Sequence, residues 1–502
     1  MSDPVEVEVV GIGPARLFHG LADLPRLDLT AHRRYHRPLP RLSLSELIAL
    51  AEEVDLRGRG GAAFPFARKL KAVADAAVSR DTRPVVVINA TEGEPASAKD
   101  KALLARTPNL VLSGAVLAAR ALDAREIVVG VTGGGAAEHS LLSAIQEANV
   151  VPAARVVHLP ERFITGESGA LVRGINGDVP IPPGRKVRAA ENGVGGLPTL
   201  LSNAETFAQL AVLAELGVKD FRAVGTPSEP GTILLTVTAP GRRRTVVETP
   251  AGVPLSEVLR RCGTGVGQGV MVGGYHGAWL TPEQAATVAV SRQSMIEAGA
   301  ALGAGIIMPL EEGTCPLGEV ARVAGYLAAE SAGQCGPCHM GLPAIARSFS
   351  SLASGGGAEA LAAITQGSGI VRGRGACHHP DGTTRFLLSA LDVFGDDVAA
   401  HVAKGSCGRP VRGLLPVPGE EGRESGLRLT VDWSRCVGHG LCGHLVPDVV
   451  QLDVFGYPVL TETELPTRLL RDALRATEMC PALALGLSRA PSAPGSGQRA
   501  LR

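Results

Sequence analysis

Aromatic side chains are scarce in this chain of 502 residues, at 3% of the composition, while glycine occupies 63 positions. Turns and close backbone approaches, more than large rings, must therefore shape much of the interior. Net charge is missing as well, since 49 basic side chains balance 49 acidic ones. That removes the electrostatic basis for binding nucleic acid or an anionic membrane surface. No apolar run is long enough to span a bilayer; the longest are broken at Arg120 or at Pro309 and Glu311. The opening MSDPVEVEVV has neither the basic nor the apolar region of a signal peptide, so a soluble cytoplasmic protein without direct membrane insertion is expected. Nine cysteines are present, but their odd number, their clustering and the length of the chain argue against a disulfide scaffold.

Six of those cysteines fall into two sets. Cys335 and Cys338 lie in E-S-A-G-Q-C-G-P-C and are answered by Cys377. Cys436 and Cys442 flank V-G-H-G-L and are answered by Cys480, which is followed by Pro481. Thiolates at such spacing, with a distant cysteine or a terminal Cys-Pro, wrap iron–sulfur clusters. Each set lacks one thiolate: Ala332 takes one slot and His439 the other. Two sets in one chain point to electron transfer. Cys262, Cys315 and Cys407 fit neither set and read as core or surface residues.

The chain is long enough for several domains. Residues 1–41 read as an N-terminal extension. Residues 42–225 alternate strands such as 85–88 and 127–129 with amphipathic segments, the pattern of an α/β layer fold. Residues 226–294 change to short strands around one helix, a small β-grasp-like module. Residues 295–404 read as mostly helical and carry the first cysteine set. A Gly- and Pro-rich linker spans 405–426, a compact unit with the second set spans 427–490, and a disordered tail follows at 491–502. The early G-I-G-P-A-R segment (11–16) has Pro14 where a helix should open and no third glycine, so it is a poor dinucleotide fingerprint.

Within the α/β region, R-G-R-G-G-A-A-F-P (57–65), followed by Lys69, offers backbone N–H groups and a cation to a phosphate. N-A-T-E-G-E-P (89–95) follows a buried-looking strand, at the strand end where ligands gather in open α/β sheets. G-E-S-G-A-L (166–171) and L-P-T-L-L-S-N-A-E-T (197–206) stand out only in company with these. In this order, and with the first cysteine run, the segments resemble the flavin-carrying subunit of respiratory NADH dehydrogenase (complex I). That family is shared with NAD-linked hydrogenases and formate dehydrogenases. The resemblance covers roughly residues 42–403. It implies a Rossmann-like FMN-binding domain, a β-grasp (SLBB-like) domain and a helical-bundle iron–sulfur domain. By matching position, Gly58, Arg59, Gly60, Gly61, Lys69, Asn89, Glu92, Gly166, Glu167, Asn203 and Thr206 would line FMN, and Phe64 and Glu94 would face a nicotinamide nucleotide. Residues 427–490 resemble the small bacterial ferredoxins that serve cytochromes P450, implying an α+β ferredoxin-like domain.

The departures from the family fall at functional positions. The aromatic rings that sandwich the nucleotide's adenine in the family are matched here by Ala72 and Arg188, and Ser168 and Thr91 replace acidic residues. Arg188 could stack on adenine or pair with a 2′-phosphate, or the pocket could take no nucleotide. The first cluster site, with Cys335, Cys338 and Cys377, could hold three irons, recruit His339 or His378, or stand empty. For Cys436, Cys442 and Cys480 a 3Fe–4S cluster is the first expectation and a 4Fe–4S cluster with His439 the second. The leading expectation is an NAD(P)H-oxidising FMN and iron–sulfur protein that delivers electrons to its fused ferredoxin, alongside a redox partner protein or other oxidoreductase subunits. The rival is an electron-transfer subunit that no longer binds nucleotide. A ligand-binding scaffold built on the β-grasp module is a third reading, which the two cysteine sets oppose.

Overall fold

Strand β1 (Glu8–Gly11) finds its partner far along the chain, pairing in parallel with Thr245–Glu248. Four runs rich in Val, Ile and Leu then build a separate, wholly parallel sheet: β2 (Val85–Ala90), β3 (Glu126–Thr132), β4 (Ala154–Leu159) and β5 (Thr199–Asn203), in the order β4-β3-β2-β5. Val86, Ile88, Ile127 and Val129 are fully buried, as parallel strands covered by helices on both faces require. The chain moves outward from β2 through β3 to β4, then returns to lay β5 on the opposite edge of β2. A ligand crevice is expected at that reversal, beyond the carboxyl ends of β2 and β5.

The structure, a computed structural model, describes residues 7–21, 24–184, 187–239, 243–418, 427–447, 449–460, 465 and 469–489. The tail expected at 491–502 and residues 419–426 of the expected linker lie outside them. The chain divides into two compact units, Met1–Leu415 and Pro416–Arg502. Some of the helices beside the parallel sheet start at side-chain caps. Ser43 and Glu46 form a capping box on the helix Leu44–Glu53, and Asn203 caps Ala204–Phe221 through the Glu205 amide. Phe207 on that helix meets Phe66 edge-on at 6.1 Å in the core.

A second, mixed sheet of six strands has the order β1-β7-β6-β10-β8-β9, with β6 (Thr232–Val237), β7 (Thr245–Pro250), β8 (Gly269–Val272), β9 (Ala278–Leu280) and β10 (Ile306–Leu310). The helix Leu255–Arg261 packs on it through Leu255, Val258 and Leu259. This sheet therefore reaches beyond residue 294 and also takes in residues near the N-terminus. Glu248 of β7 fixes that N-terminal segment, accepting hydrogen bonds from the amides of Arg16, Leu17 and Phe18 at 2.8–3.1 Å. Five helices follow: Pro316–Ala329, Leu342–Ala353, Gly357–Val371, His379–Val393 and Gly395–Lys404.

In the second unit, β11 (Leu427–Val431) pairs antiparallel with β14 (Leu485–Arg489), joining its two ends, and β12 (Val450–Leu452) pairs with β13 (Pro458–Leu460). Its core holds Leu429, Val446, Val450, Leu465, Ala473 and Ala476. No single helix among the described residues is long and apolar enough to cross a membrane.

Candidate functional site

Asn89 is the penultimate residue of β2 and Asn203 ends β5, and the two are register partners at the point where the strand order reverses. Asn89 donates to the Gly166 carbonyl at 3.1 Å and accepts from the Thr91 amide and hydroxyl, so it ties the 163–166 turn to the sheet. Asn203 accepts from the Glu205 amide and from Lys99 Nζ, both at 3.1 Å, and donates to Asp100 Oδ2 at 2.5 Å. Glu92 is occupied in the same way. It accepts from Ser97 Oγ and from the amides of Asp100 and Lys101 at the start of the helix Lys99–Arg106.

Beneath these residues lies a buried charge network that sequence reasoning did not single out. Lys99 Nζ donates to Glu205 Oε2 at 2.8 Å and to Asp100 Oδ1 at 3.2 Å. Burial opposes charge on Lys99, but the Asp100, Glu205 and Glu92 carboxylates more than offset it and hold the ammonium pKa above its ordinary value. Burial, only partly countered by Lys99, pushes the Asp100 carboxyl up to about 6. The available signal was the adjacent Lys99-Asp100 pair, which closes the segment that begins at Asn89.

Lys69, Phe64 and Glu167 line one cavity of about 870 Å3, together with Ala72, Arg188 and Cys377. The volume lies in the range of small-molecule sites, roughly 300–1,000 Å3. Lys69 Nζ donates to the Leu201 carbonyl at 2.9 Å, its single hydrogen-bond partner among the described residues, and burial lowers its pKa. Glu167 caps the helix Ser168–Ile175, its Oε2 accepting from the Gly169 and Ala170 amides at 2.8 and 2.9 Å. The Lys69 ammonium on the cavity wall has donors to spare for an anionic group, whereas the helix N-terminus beside it is already capped by Glu167.

The glycine loop sits differently. Gly58, Arg59 and Gly61 line a second cavity of about 710 Å3, shared with Glu205, Glu229 and Arg292. The Arg59 amide donates to Thr206 Oγ1 at 2.9 Å, so Thr206 anchors the loop. Gly61 has φ +105°, a backbone conformation that favours glycine, where the loop runs over the helix start. Glu94 turns toward the second sheet and lines neither cavity. The Tyr275 amide donates to its Oε2 at 3.1 Å, its Oε1 is buried without a partner, and burial pushes its pKa up to about 8.

The first cysteine set converges electrostatically. Cys335 and Cys338 hydrogen-bond through their sulfurs, Cys377 acts on Cys338, and Cys335 acts on Cys377. Burial opposes a thiolate at Cys335, but donors including the Ala376 and Cys338 amides outweigh it and lower its pKa. Cys338 is buried and pushed up to about 12 by that burial and by Cys335. Such a triad fits a cluster whose positive metals would let the sulfurs ionise. Neither candidate substitute ligand is buried: His339 and His378 are both exposed. In the second unit Cys436 and Cys480 act together on Cys442. Four backbone amides, led by Ala484 at 3.4 Å, draw the Cys480 pKa down against burial. His439 is exposed.

Residues 51–212 match the family described as the Nuo51 FMN-binding domain. Residues 318–401 match the NADH-ubiquinone oxidoreductase-F iron–sulfur binding region, and residues 429–487 the 4Fe–4S single cluster domain. The F subunit of the NADH-quinone oxidoreductase of Mycobacterium tuberculosis is 29% identical over 383 residues, which cover 72% of this chain and 86% of that protein. The HndC subunit of the NADP-reducing hydrogenase of Solidesulfovibrio fructosivorans is 26% identical over 446 residues, covering 84% of this chain and 87% of its own. In structure the chain is similar to the NAD+-reducing NiFe hydrogenase in its H2-reduced state. The TM-score is 0.69 at 26% identity, covering 79% of this chain and 68% of that one.

Proposed function

We propose that this chain, an FMN and iron–sulfur flavoprotein subunit of the NADH dehydrogenase type, draws electrons from a reduced nicotinamide dinucleotide and passes them to its C-terminal cluster domain. Its homologues are the F subunits of NADH-quinone oxidoreductases and subunits of NAD(P)-linked hydrogenases. The observation that carries the proposal is the single cavity bordered both by Lys69 and Glu167 and by Cys377, a ligand candidate of the first cluster. A two-electron donor and a one-electron acceptor can meet there.

FMN, when bound, supplies the exchange between hydride transfer and single-electron transfer. The chain's residues position it. Lys69 would meet its phosphate, and the 163–167 turn, braced by Asn89, would border the ring. Asn203, Thr206 and Glu92 act one step removed, fixing the loops that approach the cofactor. Phe64, about half exposed on the cavity wall, offers a ring to a nucleotide base. Cys335, Cys338 and Cys377 would hold the first cluster and Cys436, Cys442 and Cys480 the second, the latter a three-iron centre with His439 left free. As in its relatives, other oxidoreductase subunits are the expected partners.

Anaerobic titration with NADH and with NADPH tests the donor. Bleaching of the flavin band by either one supports the reading; a flavin band that neither nucleotide bleaches overturns it. His439→Cys tests the second cluster. A three-iron centre gives an EPR signal when oxidised, and the variant should lose that signal as a fourth iron enters. An EPR-silent oxidised wild-type domain contradicts the three-iron assignment.

One observation favours a second reading, an electron-transfer subunit without a nucleotide site. Ala72 and Arg188 line the cavity where the resemblance implies aromatic rings, and the Arg188 side chain is 83% exposed, 3.6 Å from Glu191. Purification with a catalytic partner, combined with silence toward both nucleotides, supports that reading.

A further inference from the structure

The two cysteine sets leave Cys315 and Cys407 unassigned, and in sequence the two are far apart. The fold brings them together with His401. The Sγ atoms of Cys315 and Cys407 and a ring nitrogen of His401 all lie within 4.8 Å of one another. Cys315 Sγ stands 3.3 Å from His401 Nε2. Three separate pieces of backbone supply these atoms: the N-cap of the helix Pro316–Ala329, the last turn of Gly395–Lys404, and the loop beyond it. Gly405, in the left-handed conformation, ends the second helix and lets the chain turn back so that Cys407 rejoins His401.

We propose that Cys315, His401 and Cys407 form a mononuclear binding site for a thiophilic divalent cation of the zinc class, distinct from both cluster sites.

The donor set is that of zinc, two thiolates and an imidazole. Ligands held at about 2.3 Å (sulfur) and about 2.0 Å (nitrogen) from one tetrahedral ion lie roughly 3.5–3.8 Å apart, so the observed spacing needs only a small adjustment. A thiol–imidazole hydrogen bond joins Cys315 to His401, and the Cys407 sulfur joins them through hydrogen bonds to Cys315 and to the Arg409 side chain. The His401 ring is 2% exposed; its Nε2 faces Cys315 Sγ, and its Nδ1, on the other side of the ring, is buried without a partner among the described residues. Cys407 is partly exposed, beside the Arg409 side chain that hydrogen-bonds it.

The surroundings show what the ion would hold. The Cys315 amide donates to the Pro410 carbonyl at 2.7 Å, and Thr314 Oγ1 donates to the same oxygen at 3.1 Å. Glu319, fully buried, accepts from the amides of Arg412, Gly413 and Leu414 at 2.8–2.9 Å. Residues 407–415 are thus already strapped to the start of the helix Pro316–Ala329, and the same strap continues to Pro416, where the second unit begins. The ion would be a staple at the head of that strap.

The test uses the full-length chain, loaded with iron and flavin under anaerobic conditions, given Zn2+ and then desalted. Metal analysis should find about one zinc per chain, and zinc-edge X-ray absorption should show sulfur and nitrogen neighbours. Cys407→Ser should bring the zinc close to zero with iron and flavin unchanged, whereas Cys335→Ser and Cys436→Ser should keep it. His401→Gln is the second variant should Cys407→Ser fold poorly; it should lose zinc and lose the rise in melting temperature that zinc gives the wild type. Equal zinc in wild type and Cys407→Ser, a zinc shell without sulfur, or a Cys315–Cys407 disulfide in the anaerobic protein would each overturn the proposal.

Discussion

Asn89 and Asn203 stand side by side at the carboxyl ends of β2 and β5, and neither side chain is free: one braces the 163–166 turn, the other caps a helix and closes the Lys99–Asp100–Glu205 network. Removing the second should be the costlier change. Asn203→Ala loses a cap, about 1 kcal/mol, and strips partners from buried charged groups, about 1–3 kcal/mol. A combined loss of about 2–4 kcal/mol, read in denaturant unfolding, is expected, with FMN content falling alongside. Asn89→Ala should cost about 1 kcal/mol. Equal, negligible losses would show that the network does not carry the loops.

Lys69→Gln separates binding from stability. The ammonium has one carbonyl partner, so its loss should leave the melting temperature nearly unchanged. A charge-assisted hydrogen bond to a phosphate is worth about 1.5–3 kcal/mol, so FMN should bind roughly tenfold to a hundredfold more weakly, measured by flavin fluorescence during reconstitution. Undiminished FMN retention would place the phosphate elsewhere.

Stability should fall as the solution becomes more basic than a carboxyl's ordinary range. Glu94 is raised to about 8 and Asp100 to about 6 in the folded chain, so the folded state holds protons that the unfolded state releases near 4 to 4.5. Their neutral forms are fully accommodated below that range, and the advantage is lost as pH rises through about 6 and then about 8. Glu94→Gln, which keeps an acceptor for the Tyr275 amide, should flatten the fall between about pH 6.5 and 8.5. A wild type whose melting temperature rises over that interval contradicts the assignment.

Ala72→Phe with Arg188→Phe should restore stacking area to the cavity wall. Two ring contacts at about 0.5–1.5 kcal/mol each predict NADH binding tighter by about tenfold, read by equilibrium titration. No gain would argue that the nucleotide does not lie against this wall.

Much of the site was legible because its residues carry chemistry in short, ordered segments. Lys69, Phe64 and Glu167 come together on one cavity with Cys377, although they are scattered over roughly three hundred residues of chain. Other parts were hidden by the double use of polar residues. Glu92, Glu167 and Asn203 all serve as helix caps, a role that a motif match does not distinguish from ligand contact. Strand β10, Ile-Ile-Met-Pro-Leu, sits in a stretch read as mostly helical, since periodicity alone does not separate a short apolar strand from a buried helix segment. The meeting of Cys315, His401 and Cys407 depends on how two helices and a returning loop pack, and nothing in local spacing announces it.

The proposed function requires one chain to carry a flavin and two clusters that exchange electrons. The most direct measurement is an anaerobic reductive titration of the purified full-length chain, with iron, sulfide and FMN counted on the same sample. The chain should take up about four electrons, two on the flavin and one on each cluster, with flavin and cluster bands bleaching in one connected process. Uptake that stops at about two electrons, leaving the cluster absorbance intact, or material devoid of iron and flavin, would contradict it.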